Sequence, residues 1–145
     1  MFDVKQKDEP DTRSELECFP IIDHGVEVVG DRVLVQLRRE KTTSKGGIIL
    51  VDETKQTLRF NETVAKVVQI GPLAYKNLED LSPWIEGPWC KVGDLVRTIK
   101  YGGDRFVVNP DDDGGPVVFI TLQAREIISK IKSFEYAQKM KAFVD

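Results

Sequence analysis

Short apolar runs, each cut off within a few residues by glycine, aspartate, asparagine or proline, dominate the chain from Val26 onward. Val33, Val35 and Leu37 alternate with Leu34, Gln36 and Arg38, the period-two pattern of a strand with one face in a core. Similar runs follow at Thr63 to Ile70, Leu95 to Ile99, Arg105 to Val108, Val117 to Leu122 and Ile127 to Ile131. Many short strands without a long amphipathic helix predict a mostly β fold, a small barrel or sandwich. With 145 residues, the chain has room for one compact domain with a real core plus some additional segments.

Both ends break this pattern. Residues 1–25 carry seven acids against three bases, a net charge of −4 that exceeds the −3 of the whole chain. Such a segment is too poor in apolar side chains to build a core of its own, so it reads as an acidic extension, extended or disordered, with Cys18 to Ile22 as its one candidate docking patch. At the other end, Phe134, Ala137, Met140 and Val144 recur at helical spacing and predict a short helix within a tail over 133–145. That helix could pack on its own domain or on a neighbouring subunit.

Charge and composition remove several function classes. A net acidic chain is a poor match for nucleic acid. Residues 1–10 lack the apolar core of an export signal, and no run approaches the length of a membrane span, which predicts a soluble, cytoplasmic protein. Cys18 and Cys90 stand far apart, and with the single histidine, His24, they cannot assemble the usual zinc set. His24 itself reads as a surface or boundary residue. Asp111, Asp112 and Asp113 followed by Gly114 and Gly115 are contiguous, whereas a calcium loop needs oxygen ligands at alternate positions. They predict a solvated hairpin tip. Tyr101 to Asp104 reads as a turn, not a phosphate cradle, because no helix pattern follows it. No catalytic arrangement, metal site or cofactor site is expected.

Two connections stand out by length. Residues 41–60 set one apolar knot, Ile48, Ile49 and Leu50, in a polar frame behind Gly46 and Gly47. Connections this long are uncommon in compact domains unless they serve a function. The knot has two readings, a core strand after a glycine hairpin or an exposed anchor, and the run alone does not separate them. Residues 72–91 hold both tryptophans, Trp84 and Trp89, together with Tyr75. Large aromatics predict a satellite cluster packed on the domain's shoulder, with a functional lining as the second reading.

The order of motifs resembles the GroES-type co-chaperonin, or chaperonin-10, family. Gly30-Asp-Arg-Val-Leu-Val35 is similar to its first strand, and Ser44-Lys-Gly-Gly-Ile-Ile-Leu50 to its mobile loop. Thr63 to Gly71 resembles the strand rising to the family's roof, Lys91 to Val96 the strand descending from it, and Arg125 to Ile131 the closing strand. Each motif alone is weak; five in the right order are strong. The resemblance implies an irregular GroES-like barrel over 26–132, with 41–60 as mobile loop and 72–91 as roof loop. It also implies that Gly46 and Gly47 present Ile48, Ile49 and Leu50 to an apolar groove on the apical domain of a GroEL-type chaperonin. By the same resemblance the subunits form a seven-membered ring that closes a chamber for an unfolded substrate protein, and ATP is bound and hydrolysed by the chaperonin.

The roof loop is larger and more aromatic than the family's usual turn. Together with the acidic arm and the tail past Ile131, it makes the chain resemble the co-chaperonins that some bacteriophages encode, which adapt a host chaperonin to a capsid protein. The alternative is a β-barrel binding module or virion assembly protein that uses the same apolar loop on a different partner. An enzyme is not expected.

Overall fold

The computed structural model describes residues 11–39, 62–108 and 115–141. Strands β1 (Arg32–Leu37), β2 (Val64–Ile70), β3 (Leu95–Thr98), β4 (Asp104–Val108), β5 (Val117–Gln123) and β6 (Ile127–Lys130) lie within two residues of the six predicted runs. Two short helices flank them, α1 (Glu15–Cys18) and α2 (Phe134–Lys139). The architecture is mostly β, as the alternation predicts. All pairings are antiparallel, and the six strands form one sheet in the order β4-β5-β1-β2-β3-β6. Among the described residues no ladder joins β4 to β6, so the order runs from edge to edge without a detected closure.

The main core collects Val33, Val35 and Leu37 of β1, Ala65 and Val67 of β2, Val96 of β3, and Val118, Ile120 and Leu122 of β5. These are alternate positions on each strand, and they all turn to one face. Where the one-face expectation for β1 needs correction is on the opposite side. Leu34, Gln36 and Arg38 are buried as well. Leu34 packs with Val28, Val117 and Phe119 in a second cluster, to which Ile22 and Val26 add partial cover. Gln36 donates its side-chain amide to the Pro20 carbonyl at 2.8 Å. The segment ahead of the sheet covers this face, and the alternation of β1 therefore separates two cores instead of core from water.

At the far end of β2 the chain turns at Gly71, whose amide donates to the Arg32 carbonyl at 2.8 Å. A Cβ at this position would press on the backbone oxygens of Gly30 and Arg32, atoms that cannot swing aside as a side chain does. Gly71→Ala is expected to cost about 1–3 kcal/mol through forced backbone shifts, read as a lower urea midpoint at unchanged slope.

Candidate functional site

The 40–61 connection is rooted between β1 and β2, where Leu37 pairs with Ala65 and the Arg38 amide donates to the Val64 carbonyl at 3.0 Å. Gly46, Gly47, Ile48, Ile49 and Leu50 lie outside the described residues. What the structure does describe is how both roots are held. Arg38 is buried and forms an ion pair with the buried Glu62, Nε to Oε1 at 2.8 Å. Its guanidinium also donates to the carbonyls of Ala137 at 2.7 Å and Met140 at 2.6 Å, at the C-terminal end of α2. Burial pushes the Glu62 carboxyl up from its ordinary range, and the Arg38 charge opposes that shift.

Arg39 is held from the other terminus. Its amide donates to the Cys18 carbonyl at 3.0 Å, its own carbonyl accepts from Arg13 at 2.7 Å, and its guanidinium donates to the Gly115 carbonyl at 2.9 Å. Cys18 closes helix α1, which is fixed by a capping box, in which Ser14 accepts from the Glu17 amide and Glu17 accepts from the Ser14 amide. Beneath these bonds Cys18, Phe19, Val64, Leu95, Ile131 and Ala137 make a third apolar cluster, flanked by Phe134 and Met140. Of the predicted patch, Cys18 and Phe19 are fully buried, whereas Ile21 stands in solvent. Val144 lies outside the described residues.

The Cys18 thiol is shielded, and burial raises its pKa to about 11. Because the folded value lies above that of the unfolded chain, Cys18's contribution to stability is complete below the unfolded pKa. It is lost as the pH rises through about 11. The intact protein is expected to resist alkylation at Cys18 near pH 8 and to react once denaturant opens the cluster, which mass spectrometry would read directly.

At the opposite end of β2, residues 72–91 bring Tyr75, Trp84 and Trp89 together. Tyr75 meets Trp84 edge-on with ring centroids 5.4 Å apart and Trp89 at 5.7 Å, and the two indoles meet at 5.0 Å. Tyr75 is only 2 % exposed and sits in the left-handed region at φ 61°. Its hydroxyl donates to the Ala124 carbonyl at 3.0 Å and lies 3.4 Å from the Cys90 sulfur. Burial, followed by the bond to Cys90, drives the Tyr75 phenol upward, so it stays protonated. All three rings pack on the main core. Beyond them Leu78, Leu81 and Ile85 remain exposed at the tip of the connection.

The acidic run Asp111 to Gly114 lies outside the described residues, and the strands on either side pair as a hairpin with Val108 opposite Val117. His24 sits half-buried with its ring 5.2 Å from that of Phe119. Among the described residues no cluster of His, Cys, Asp or Glu could hold a metal, and no helix is long and apolar enough to cross a membrane. Sequence reasoning missed Arg38, Arg39, Glu62 and Arg13, whose charged side chains suggested solvent. A paired arginine at the end of a strand, with a glutamate just ahead of its hairpin partner, was the available signal.

An antiparallel sheet with a long connection rooted at one end and an aromatic loop packed at the other defines a small β scaffold. Residues 25–131 match the model of the chaperonin 10 Kd subunit, and the chain belongs to that family of non-enzymatic co-chaperonins. It is 28% identical over 107 residues to the co-chaperonin GroES of Chlamydia pneumoniae, covering 74% of this chain and 91% of that one. It is 36% identical over 75 residues to the GroES of Lactobacillus acidophilus, covering 52% and 71%. The Kosmotoga olearia GroES is 28% identical over 104 residues, covering 72% and 93%.

Proposed function

We propose that the protein caps a GroEL-type chaperonin ring, with residues 41–60 as its docking segment and Ile48, Ile49 and Leu50 as the anchors that enter apolar grooves on the apical domains. The observation that carries this reading is the position of the segment's roots. They emerge side by side at one end of the sheet, while residues 72–91 occupy the end about 20 Å of strand away, so one end is free to grip and the other to roof a chamber. The protein acts as a homo-oligomeric ring of seven, a number taken from the family. The chamber so closed holds an unfolded substrate protein, and the chaperonin binds and hydrolyses the ATP.

The acidic residues ahead of the sheet, the large aromatic loop and the tail past Ile131 support a narrower reading. In it the chain is a bacteriophage-encoded member, acting in the host cytoplasm on a capsid protein. The test is retention of the full-length protein on an immobilised GroEL-type chaperonin with and without nucleotide. Nucleotide-dependent retention is expected. Absence of retention under both conditions would return the apolar segment to a different partner.

A further inference from the structure

The region matched by the family ends at Ile131 and begins at Gly25, yet the bonds at the roots of the 40–61 connection come largely from outside it. We propose that Arg38 is a positioning residue for the docking segment. Through it the two terminal segments form a clamp that fixes the segment's roots before the chaperonin is met. This rests on the reading of 41–60 as the docking segment.

The geometry makes Arg38 a junction of three elements. Its guanidinium reaches Glu62 on the incoming root of β2 and the carbonyls of Ala137 and Met140 at the end of α2. The planar fork of an arginine satisfies these acceptors together, which the single ammonium of a lysine cannot do. Helix α2 is joined in turn to the N-terminal segment, because the Gln138 amide donates to the Arg13 carbonyl. Arg13 then returns to the outgoing root by donating to the Arg39 carbonyl. A closed circuit results, running Arg38, α2, Gln138, Arg13 and Arg39, with the cluster of Cys18, Phe19, Val64 and Ala137 packed inside it.

For a docking segment, fixed roots matter energetically. Each backbone residue held in advance is one whose freedom is not lost at the moment of docking. A polar circuit of this kind also acts as a unit, so breaking it at any one link should release both roots. The exposed face of the clamp need not touch the chaperonin at all. Its effect is carried through the roots.

The experiment uses the assembled full-length ring and measures its affinity for an immobilised GroEL-type chaperonin in the presence of nucleotide. Three variants are compared: Arg38→Met with Glu62→Gln, so that no charge is left buried alone; a chain ending at Lys132; and both changes combined. Each of the first two is expected to weaken binding by about tenfold per docking segment, the freedom of roughly one root residue, and by more than that for the ring as a whole. The combination should be no weaker than the worse of the two, because both cut the same tie. Amide exchange should quicken at Arg38, Arg39 and Val64 while the β1–β5 ladder and the ring mass stay as in the wild type. A purely structural role would loosen both regions together.

Wild-type affinity in the Arg38 variant, or losses that simply add, would overturn the proposal. If the methionine variant does not assemble, Arg38→Lys takes its place, with a several-fold loss expected and wild-type affinity again the overturning result. Ile49→Asp is run alongside. If it leaves binding intact, the docking reading fails; if it abolishes binding while the Arg38 variants bind normally, only the clamp fails.

Discussion

Ile49→Asp is expected to abolish capping while leaving the ring assembled. Burying an isoleucine side chain is worth about 1.5–3 kcal/mol, and an aspartate forced into the same apolar groove adds an unpaired charge that costs several kcal/mol more. Per segment the loss exceeds roughly a hundredfold in affinity. Three apolar anchors supply only about 5–9 kcal/mol gross. If some eight residues were fixed on docking at about 1–2 kcal/mol each, the cost of about 8–16 kcal/mol would consume most or all of that gain, so a single segment should bind weakly. On the proposed reading, a ring gains firm binding only because its segments act together at high effective concentration. A defect repeated in every subunit therefore compounds. Co-sedimentation with the chaperonin across a range of protein concentrations would read the loss, and binding at the wild-type midpoint would remove Ile49 from the interface.

The second large effect is structural and concerns the other end of the sheet. Tyr75→Ala is expected to destabilise the fold by about 3–5 kcal/mol, because it removes a fully packed ring that touches both Trp84 and Trp89. Tyr75→Phe separates the hydroxyl from the ring. It keeps the packing and removes one of two donors to the buried Ala124 carbonyl, which retains the Ile127 amide, at about 0.5–1.5 kcal/mol. Urea denaturation followed by tryptophan fluorescence would measure both, since the two indoles report on the same cluster. Equal losses for the two variants would mean that the hydrogen bond, and not the aromatic packing, holds residues 72–91 to the core.

How far these features could be read beforehand differs by element. The six strands were legible because period-two alternation bounded by Gly, Asp and Pro is a local signal, and local signals survive in a bare sequence. The aromatic cluster was legible as a cluster, since Tyr75, Trp84 and Trp89 have few stable places other than a core, but the left-handed backbone that aims Tyr75 inward at φ 61° had no sequence mark. Arg38 was the opposite case. As the last polar residue of an alternating strand it predicts solvent, and its burial depends on acceptors 99 and 102 residues further along the chain. The acidic N-terminal segment likewise suggested a solvated arm, yet Cys18 and Phe19 pack into the third cluster while Arg13 and the Cys18 carbonyl bond to Arg39. Ile48 to Leu50 lie outside the described residues, and their proposed role as an anchor rests on the order of the motifs around them, because three apolar residues after two glycines describe a core strand equally well.

On the proposed function, this chain works as a ring that caps a chaperonin. Native mass spectrometry of the full-length protein mixed with a GroEL-type chaperonin and a slowly hydrolysed ATP analogue tests it most directly. A complex heavier than the chaperonin by seven copies of the 16.4 kDa chain per capped end is the predicted result, seven being the family's ring. A chain that stays monomeric and leaves the chaperonin's mass unchanged would contradict it.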